Sequence, residues 1–201
     1  MYDDEFELTF DLSDEDEASW APEPEQEPVQ EAAPEPAAET EPQVEAVPEP
    51  AVPAANGRCV LISGGDRGIG AAAARAFWQA GYRVAVLYHT HAEAAAALEK
   101  ALPGLLAFQC DVASRASCEV AFHTVEQAVG HVDVLVSNAG IAQQKLFTDI
   151  TPEEWQHMLD VNLSGAFHLC QLALPGMIRR KAGRILTVSS MWGQTGGSCE
   201  V

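Results

Sequence analysis

From Arg58 onward the chain alternates short apolar runs with longer Ala-, Leu- and Glu-rich stretches, and this alternation restricts the fold more than any other feature. Strands are predicted over about 58–63, 83–88, 105–109, 132–136 and 184–188, because each is a brief apolar run bounded by turn residues. Helices are predicted over about 69–80, 91–102 and 114–129, with stops at Gly81, Pro103-Gly104 and Gly130. A fourth helix starts at Thr151-Pro152-Glu153-Glu154, where threonine caps, proline suits the first turn and the glutamates favour the positive end of the helix dipole. It runs to about Lys181, with Pro175 as the expected place for a bend. Strict strand–helix alternation calls for a parallel sheet covered by helices on both faces, an α/β doubly wound architecture.

In such sheets ligands lie beyond the carboxyl ends of the strands. Every conspicuous polar cluster of this sequence falls there: the Gly64–Gly70 loop, His89-Thr90, Asp111, Asn138-Ala139-Gly140 and Ser189-Ser190. In the first of these, Gly64, Gly68 and Gly70 stand in a G-x-x-x-G-x-G spacing between strand and helix. Glycine lets the backbone turn sharply and lets a ligand approach bare main chain, while the unpaired N–H groups of the next helix face a phosphate. The spacing differs from the G-x-x-x-x-G-K-[ST] phosphate loop and from G-x-G-x-x-G, and by itself it is compatible with a plain turn.

Composition divides the chain. Residues 1–55 hold 18 of the 30 acidic residues, nine of the 12 prolines and no Lys or Arg. Such a segment cannot bury enough apolar surface to offset the entropy of ordering, and it reads as a disordered acidic tail. Residues 56–201 form the expected domain, with 12 acids against 11 bases. No basic stripe suits nucleic acid, and no apolar run approaches a membrane span. The first residues lack a secretion signal, and the five cysteines form no C-x-x-C, so a cytoplasmic protein without disulfides or a zinc site is expected. His89 and His91 lack a third ligand, so no metal site is expected.

The run Ser63-Gly64-Gly65-Asp66-Arg67-Gly68-Ile69-Gly70 resembles the T-G-x-x-x-G-I-G loop of the short-chain dehydrogenases/reductases. Asp111-Val112, Ser137-Asn138-Ala139-Gly140, Asn162 and Ile185 to Ser190 match further stations of that family in order, over all of residues 58–201. Within the family the resemblance is closest to 3-oxoacyl-carrier-protein reductases. Gly140–Ile150 and Trp192–Val201 also resemble reductases acting on the 5-aminopentanone modification of elongation factor P.

The resemblance implies a Rossmann-type fold and an oxidoreductase that reduces a ketone carried on a small molecule or a carrier. Gly64, Gly68 and Gly70 would cradle a pyrophosphate, in a loop whose Ser63, Arg67 and Ile69 join the cofactor-binding set. Asp111 would bond the adenine amino group beside Val112, and Asn138, Ala139 and Gly140 would line the ribose. Asn162 would hold a water in a proton relay, and Ser190 would bond the substrate carbonyl. At the end of the second strand, Tyr88-His89-Thr90 carries no acid to bind a ribose diol, and Arg67 suits a 2′-phosphate, so NADPH is expected over NADH. Asp66 is expected to point to solvent.

The family's proton donor is a tyrosine in Tyr-x-x-x-Lys, whose lysine lowers the tyrosine's pKa. The three tyrosines, Tyr2, Tyr82 and Tyr88, have no lysine four residues on. By resemblance the tyrosine falls two residues after Val201, so the domain reads as incomplete at its carboxyl end. A complete protein is expected to be a homo-oligomer. The alternative class is a catalytically inactive nucleotide-binding or interaction module.

Overall fold

The computed structural model of the protein describes residues 53–195; the acidic tail, apart from its last three residues, lies outside the described residues. Five strands, β1 (Cys59–Ser63), β2 (Arg83–Tyr88), β3 (Leu106–Gln109), β4 (Val134–Ser137) and β5 (Arg184–Thr187), form one sheet. Its order is β3-β2-β1-β4-β5 and every pairing is parallel. The intervening helices are α1 (Gly68–Gln79), α2 (Ala92–Ala101), α3 (Arg115–Val129), α4 (Pro152–Leu159) and α5 (Gly165–Arg180), with the short α6 (Trp192–Thr195) after β5.

All five residues of β1 are buried because helices cover both faces of the sheet. Cys59 and Leu61 point to the side packed by Phe122, Val125 and Leu169 of α3 and α5. Val60 and Ile62 point to the opposite side, against Ala74 and Trp78 of α1 and Leu98 of α2. Each such aliphatic side chain contributes about 1.5–3 kcal/mol on burial. The small Ala71 and Ala74 let α1 lie close to the sheet, so the helix is held with its amino end at the carboxyl end of β1. The chain winds outward from β1 through β2 to β3, then crosses back to β4 on the other side. The strand order therefore reverses between β1 and β4, the place where doubly wound sheets open a crevice.

The helix predicted from Thr151 starts there, with the full capping box between Thr151 and Glu154. Its irregularity is not at Pro175, which α5 carries inside its span, but at Asp160–Ser164, a π-helical turn between α4 and α5. A π turn inserts an extra residue and rotates its side chain. Here it aims Asn162 at the segment after β4, where Oδ1 accepts from the Ile141 N–H (2.8 Å) and Nδ2 donates to the Ile141 carbonyl (3.0 Å). Among the described residues no helix is long and apolar enough to cross a membrane.

Candidate functional site

A cavity of about 490 Å³ lies beyond the carboxyl ends of β1, β2 and β4. Its floor is the joint between the first and fourth strands. Ser63 closes β1 with its hydroxyl oxygen accepting from the backbone N–H groups of Asn138 and Ala139, both at 3.0 Å. Asn138 answers with Nδ2, which donates to the carbonyls of Ser63 and Gly64, both at 3.0 Å. Four hydrogen bonds thus fasten the two strand ends on either side of the crevice.

The glycine loop stands over this joint. Gly64, Arg67, Gly68 and Ile69 line the cavity. Gly68 has φ +53° and nothing within 4 Å of where a side chain would begin, so it presents bare backbone to open space at the start of α1. That vacancy beside a helix amino terminus is what a pyrophosphate requires, and the residues present fit a dinucleotide. Gly70 is different. It does not line the cavity, and a Cβ there would sit 2.0 Å from the Gly64 carbonyl oxygen. Ser63 is likewise fully buried and absent from the cavity wall. Both build the loop without facing the space.

The loop's middle corrects an expectation. Asp66 does not point to solvent; its side chain is only 6% exposed. Gly65 lies flat on β2, donating its N–H to the Leu87 carbonyl at 3.2 Å, where a Cβ would come within 2.6 Å of Val86. This draws the loop down and turns the next side chain inward, toward His91.

In the glycine loop and at the end of β2 the cavity is lined by Asp66, Arg67, Tyr88, His89, Thr90 and His91, and after β3 by Cys110, Asp111 and Val112. Asp111 Oδ1 accepts from the Ala113 N–H at 3.0 Å, while its own N–H donates to Ser117 Oγ at 3.0 Å, so the carboxylate is held in one place at the rim. Cys110 shares a thiol–thiol contact of 4.0 Å with Cys118. After β4 and on the helix that follows, it is lined by Asn138, Ala139, Gly140, Ile141, His157 and Val161.

Asn162 and Ser190, expected near the chemistry, do not line this cavity. Asn162 is the clamp on Ile141 described above, and Gly140 leaves it room, since a Cβ there would be 3.1 Å from Asn162 Oδ1. Ser190 is exposed beyond β5, its Oγ accepting from the Trp192 N–H at 3.2 Å. Sequence reasoning missed His157 and Val161, although their i, i+4 spacing on a helix following the Asn138 loop was an available signal. Residues 196–201, which carry much of the narrower resemblance, lie outside the described residues.

A parallel sheet wound 3-2-1-4-5 with a glycine loop at its switch point defines a dinucleotide-binding class of α/β protein. The short chain dehydrogenase family profile matches residues 58–201, and the chain belongs to that family. It is 40% identical over 139 residues to an acetoacetyl-CoA reductase of Shinella zoogloeoides, covering 69% of this chain and 57% of that protein. It is 41% identical over 139 residues to an acetoacetyl-CoA reductase of Rhizobium meliloti, with coverage of 69% and 57%. A 3-oxoacyl-[acyl-carrier-protein] reductase MabA of Mycobacterium avium is 39% identical over 144 residues, covering 70% of this chain and 53% of that protein. The chain thus spans a little over half the length of these curated relatives.

Proposed function

We propose that residues 56–201 form the cofactor-binding portion of an NADPH-dependent carbonyl reductase acting on a 3-oxoacyl thioester. The observation that carries this reading is the cleft at the β1–β4 switch point, with open backbone at Gly68 and Arg67 on its rim. The relatives' names, acetoacetyl-CoA reductase and 3-oxoacyl-[acyl-carrier-protein] reductase, support the substrate class.

When bound, the cofactor would supply hydride to a carbonyl carbon. Gly64, Gly68 and Ile69 would receive the phosphates, and Arg67, His89 and Thr90 the phosphorylated ribose. Asp111 and Val112 would hold the adenine, and Asn138, Ala139 and Gly140 the inner ribose. Ser63 and Gly70 serve the same site by fixing the loop. Ser190 accepts one hydrogen bond from Trp192 and keeps its own proton to donate to a carbonyl oxygen. Asn162 would position the relay, since its side chain is committed to Ile141. A Tyr-x-x-x-Lys pair would supply the proton, and these 201 residues do not contain one.

The test is to titrate the chain with NADPH and NADH by fluorescence, then add acetoacetyl-CoA. Binding that favours NADPH, without cofactor consumption, is expected. Preference for NADH would overturn the cofactor choice, and robust turnover would overturn the proton-donor argument. A chain continuing through Tyr-x-x-x-Lys is expected to reduce acetoacetyl-CoA, with 5-aminopentanone-modified elongation factor P as the competing substrate. Homo-oligomer formation is proposed from the exposed apolar row Leu163, Phe167, Leu174 and Ile178 along the π turn and α5. Light scattering that finds only monomer in such a longer chain would refute it.

A further inference from the structure

Cys110 stands directly after β3 and Cys118 in the first turn of α3, and their sulfurs meet at 4.0 Å. Both thiols are free and buried, yet Cys110 contributes to the wall of the cleft. Asp111 and Val112, which line the same wall, sit in the turn that the two cysteines bracket. Cys118 Sγ is within donating reach of the carbonyls of Val112 (3.5 Å) and Asp111 (3.9 Å), and the Ser117 hydroxyl donates to Cys110 Sγ at 3.7 Å.

The two thiols are not equivalent. The hydrogen bond with Cys118 holds the Cys110 thiol below its ordinary value of 9.0 against the opposing effect of burial, and Ser117 acts in the same sense as Cys118. The same bond, together with burial, pushes Cys118 up. Cys110 is therefore the thiol that ionises first, on the cleft side, and Cys118 stands behind it, close enough to resolve an oxidised sulfur.

We propose that Cys110 and Cys118 form a reversible redox site in the wall of the nucleotide cleft, closed to a disulfide by hydrogen peroxide and reopened by a dithiol. The Cys110 thiolate attacks one peroxide oxygen, the O–O bond breaks, and the departing hydroxide takes up the proton the thiol gave, leaving a sulfenic acid and one water. Cys118 then attacks the Cys110 sulfur. The S–S bond forms as the S–O bond breaks, and the hydroxide released leaves with the Cys118 proton as a second water. Two thiols are oxidised and one peroxide is reduced. Because Cys110 is only 2% exposed, the reaction is slow and paced by local opening of the wall.

The sulfurs must close from 4.0 Å to about 2 Å. Closure takes Cys118 Sγ from the carbonyls of Asp111 and Val112 and draws Cys110 from its place in the wall, so the oxidised chain binds the nucleotide more weakly. This consequence rests on the cleft being the NADPH site proposed above; the disulfide itself does not.

The test is to treat the folded 201-residue chain with hydrogen peroxide, map its disulfides by mass spectrometry without reduction, and titrate NADP+ before oxidation, after it, and after dithiothreitol. A Cys110–Cys118 cross-link is expected, with NADP+ affinity lowered about fivefold or more, the low end for coupled sites, and restored by dithiothreitol. Cys118→Ala and Cys118→Ser should each abolish the reversible loss, and either suffices if the other does not fold. Absence of the cross-link in a parent that keeps its circular dichroism spectrum, oxidation of Cys110 that runs on to sulfinic acid instead, or a reversible loss that persists in a folded Cys118 variant overturns the site. A cross-link that leaves NADP+ affinity unchanged overturns its coupling to the cleft. Failure of the reduced chain to bind a dinucleotide overturns the reading of the cleft, and the peptide map then decides the redox site by itself.

Discussion

The paired substitutions Gly70→Ala and Gly68→Ala separate the two uses of glycine in the loop. At position 70 the new Cβ would lie 2.0 Å from the Gly64 carbonyl oxygen and 2.7 Å from Asn138 Nδ2, where ordinary contact begins at 3.4 Å. The obstructing oxygen is main chain, and it is held in place by the hydrogen bond from Asn138 Nδ2. Relieving the overlap must move α1 against the sheet or displace the loop. Overpacking of this sort costs about 1–3 kcal/mol, and loss of the Asn138 bond adds about 1 kcal/mol. Alanine recovers about 1 kcal/mol of helix propensity over glycine. The net expectation is a loss of about 1–3 kcal/mol. At position 68 the added methyl meets nothing within 4 Å, and the cost is the left-handed φ of +53°, about 1 kcal/mol. That methyl, however, would occupy the open space proposed for the pyrophosphate. Urea denaturation followed by tryptophan fluorescence, together with NADPH titration, distinguishes the two. Gly70→Ala should lower the denaturation midpoint strongly, whereas Gly68→Ala should leave most of the stability and lose at least tenfold in affinity, on the order of 1.4 kcal/mol. A Gly70→Ala chain within about 0.5 kcal/mol of the parent, the scatter of ordinary surface changes, would refute the steric argument.

Two further outcomes follow from local electrostatics. Lys145 Nζ donates to both oxygens of Glu154 (2.9 and 2.8 Å) and the Thr151 N–H donates to Oε2 (2.9 Å), which together hold the Glu154 carboxyl below its ordinary value of 4.5. A depressed folded value means the contribution is complete above about pH 4.5 and disappears as pH falls through the folded value. Amide protection factors at the start of α4, taken relative to intrinsic exchange at each pH, should therefore fall on acidification in the parent and show no such step in Glu154→Gln; an identical step in the variant would contradict the assignment. Among the cysteines, burial in β1 pushes the Cys59 thiol up to about 12, while the hydrogen bond with Cys118, and then that from Ser117, hold Cys110 low against the opposing effect of burial. Iodoacetamide mapping should find Cys110, which contributes to the cleft wall but is only 2% exposed, modified slowly yet before Cys59. Modification of Cys59 first would contradict it.

The layers of this fold are readable from the sequence because burial on both faces imposes apolar runs such as Cys59–Ser63 and Val134–Ser137, and parallel pairing demands the crossovers between them. The loop at Gly64–Gly70 is readable for a similar reason: glycine has few reasons to recur between a strand and a helix. What the sequence does not show is where a loop side chain turns. Asp66 goes inward because Gly65 meets Val86 and Leu87, a contact made only once β2 lies beside β1. The π turn is hidden for the same reason, since it answers to the pairing of Asn162 with Ile141. Periodicity assigns a helix across that segment but does not register a single inserted residue.

The residues of the glycine loop and of the β4 end therefore divide by what they touch rather than by which motif they belong to. Ser63, Gly70 and the side-chain amide of Asn138 bond or pack against the loop and the two strand ends, and changes in them should first appear as lost stability. Arg67, Gly68 and His89 line the cavity, and changes in them should first appear in which nucleotide binds. The motif spans both groups because the cavity exists only while the joint beneath it holds.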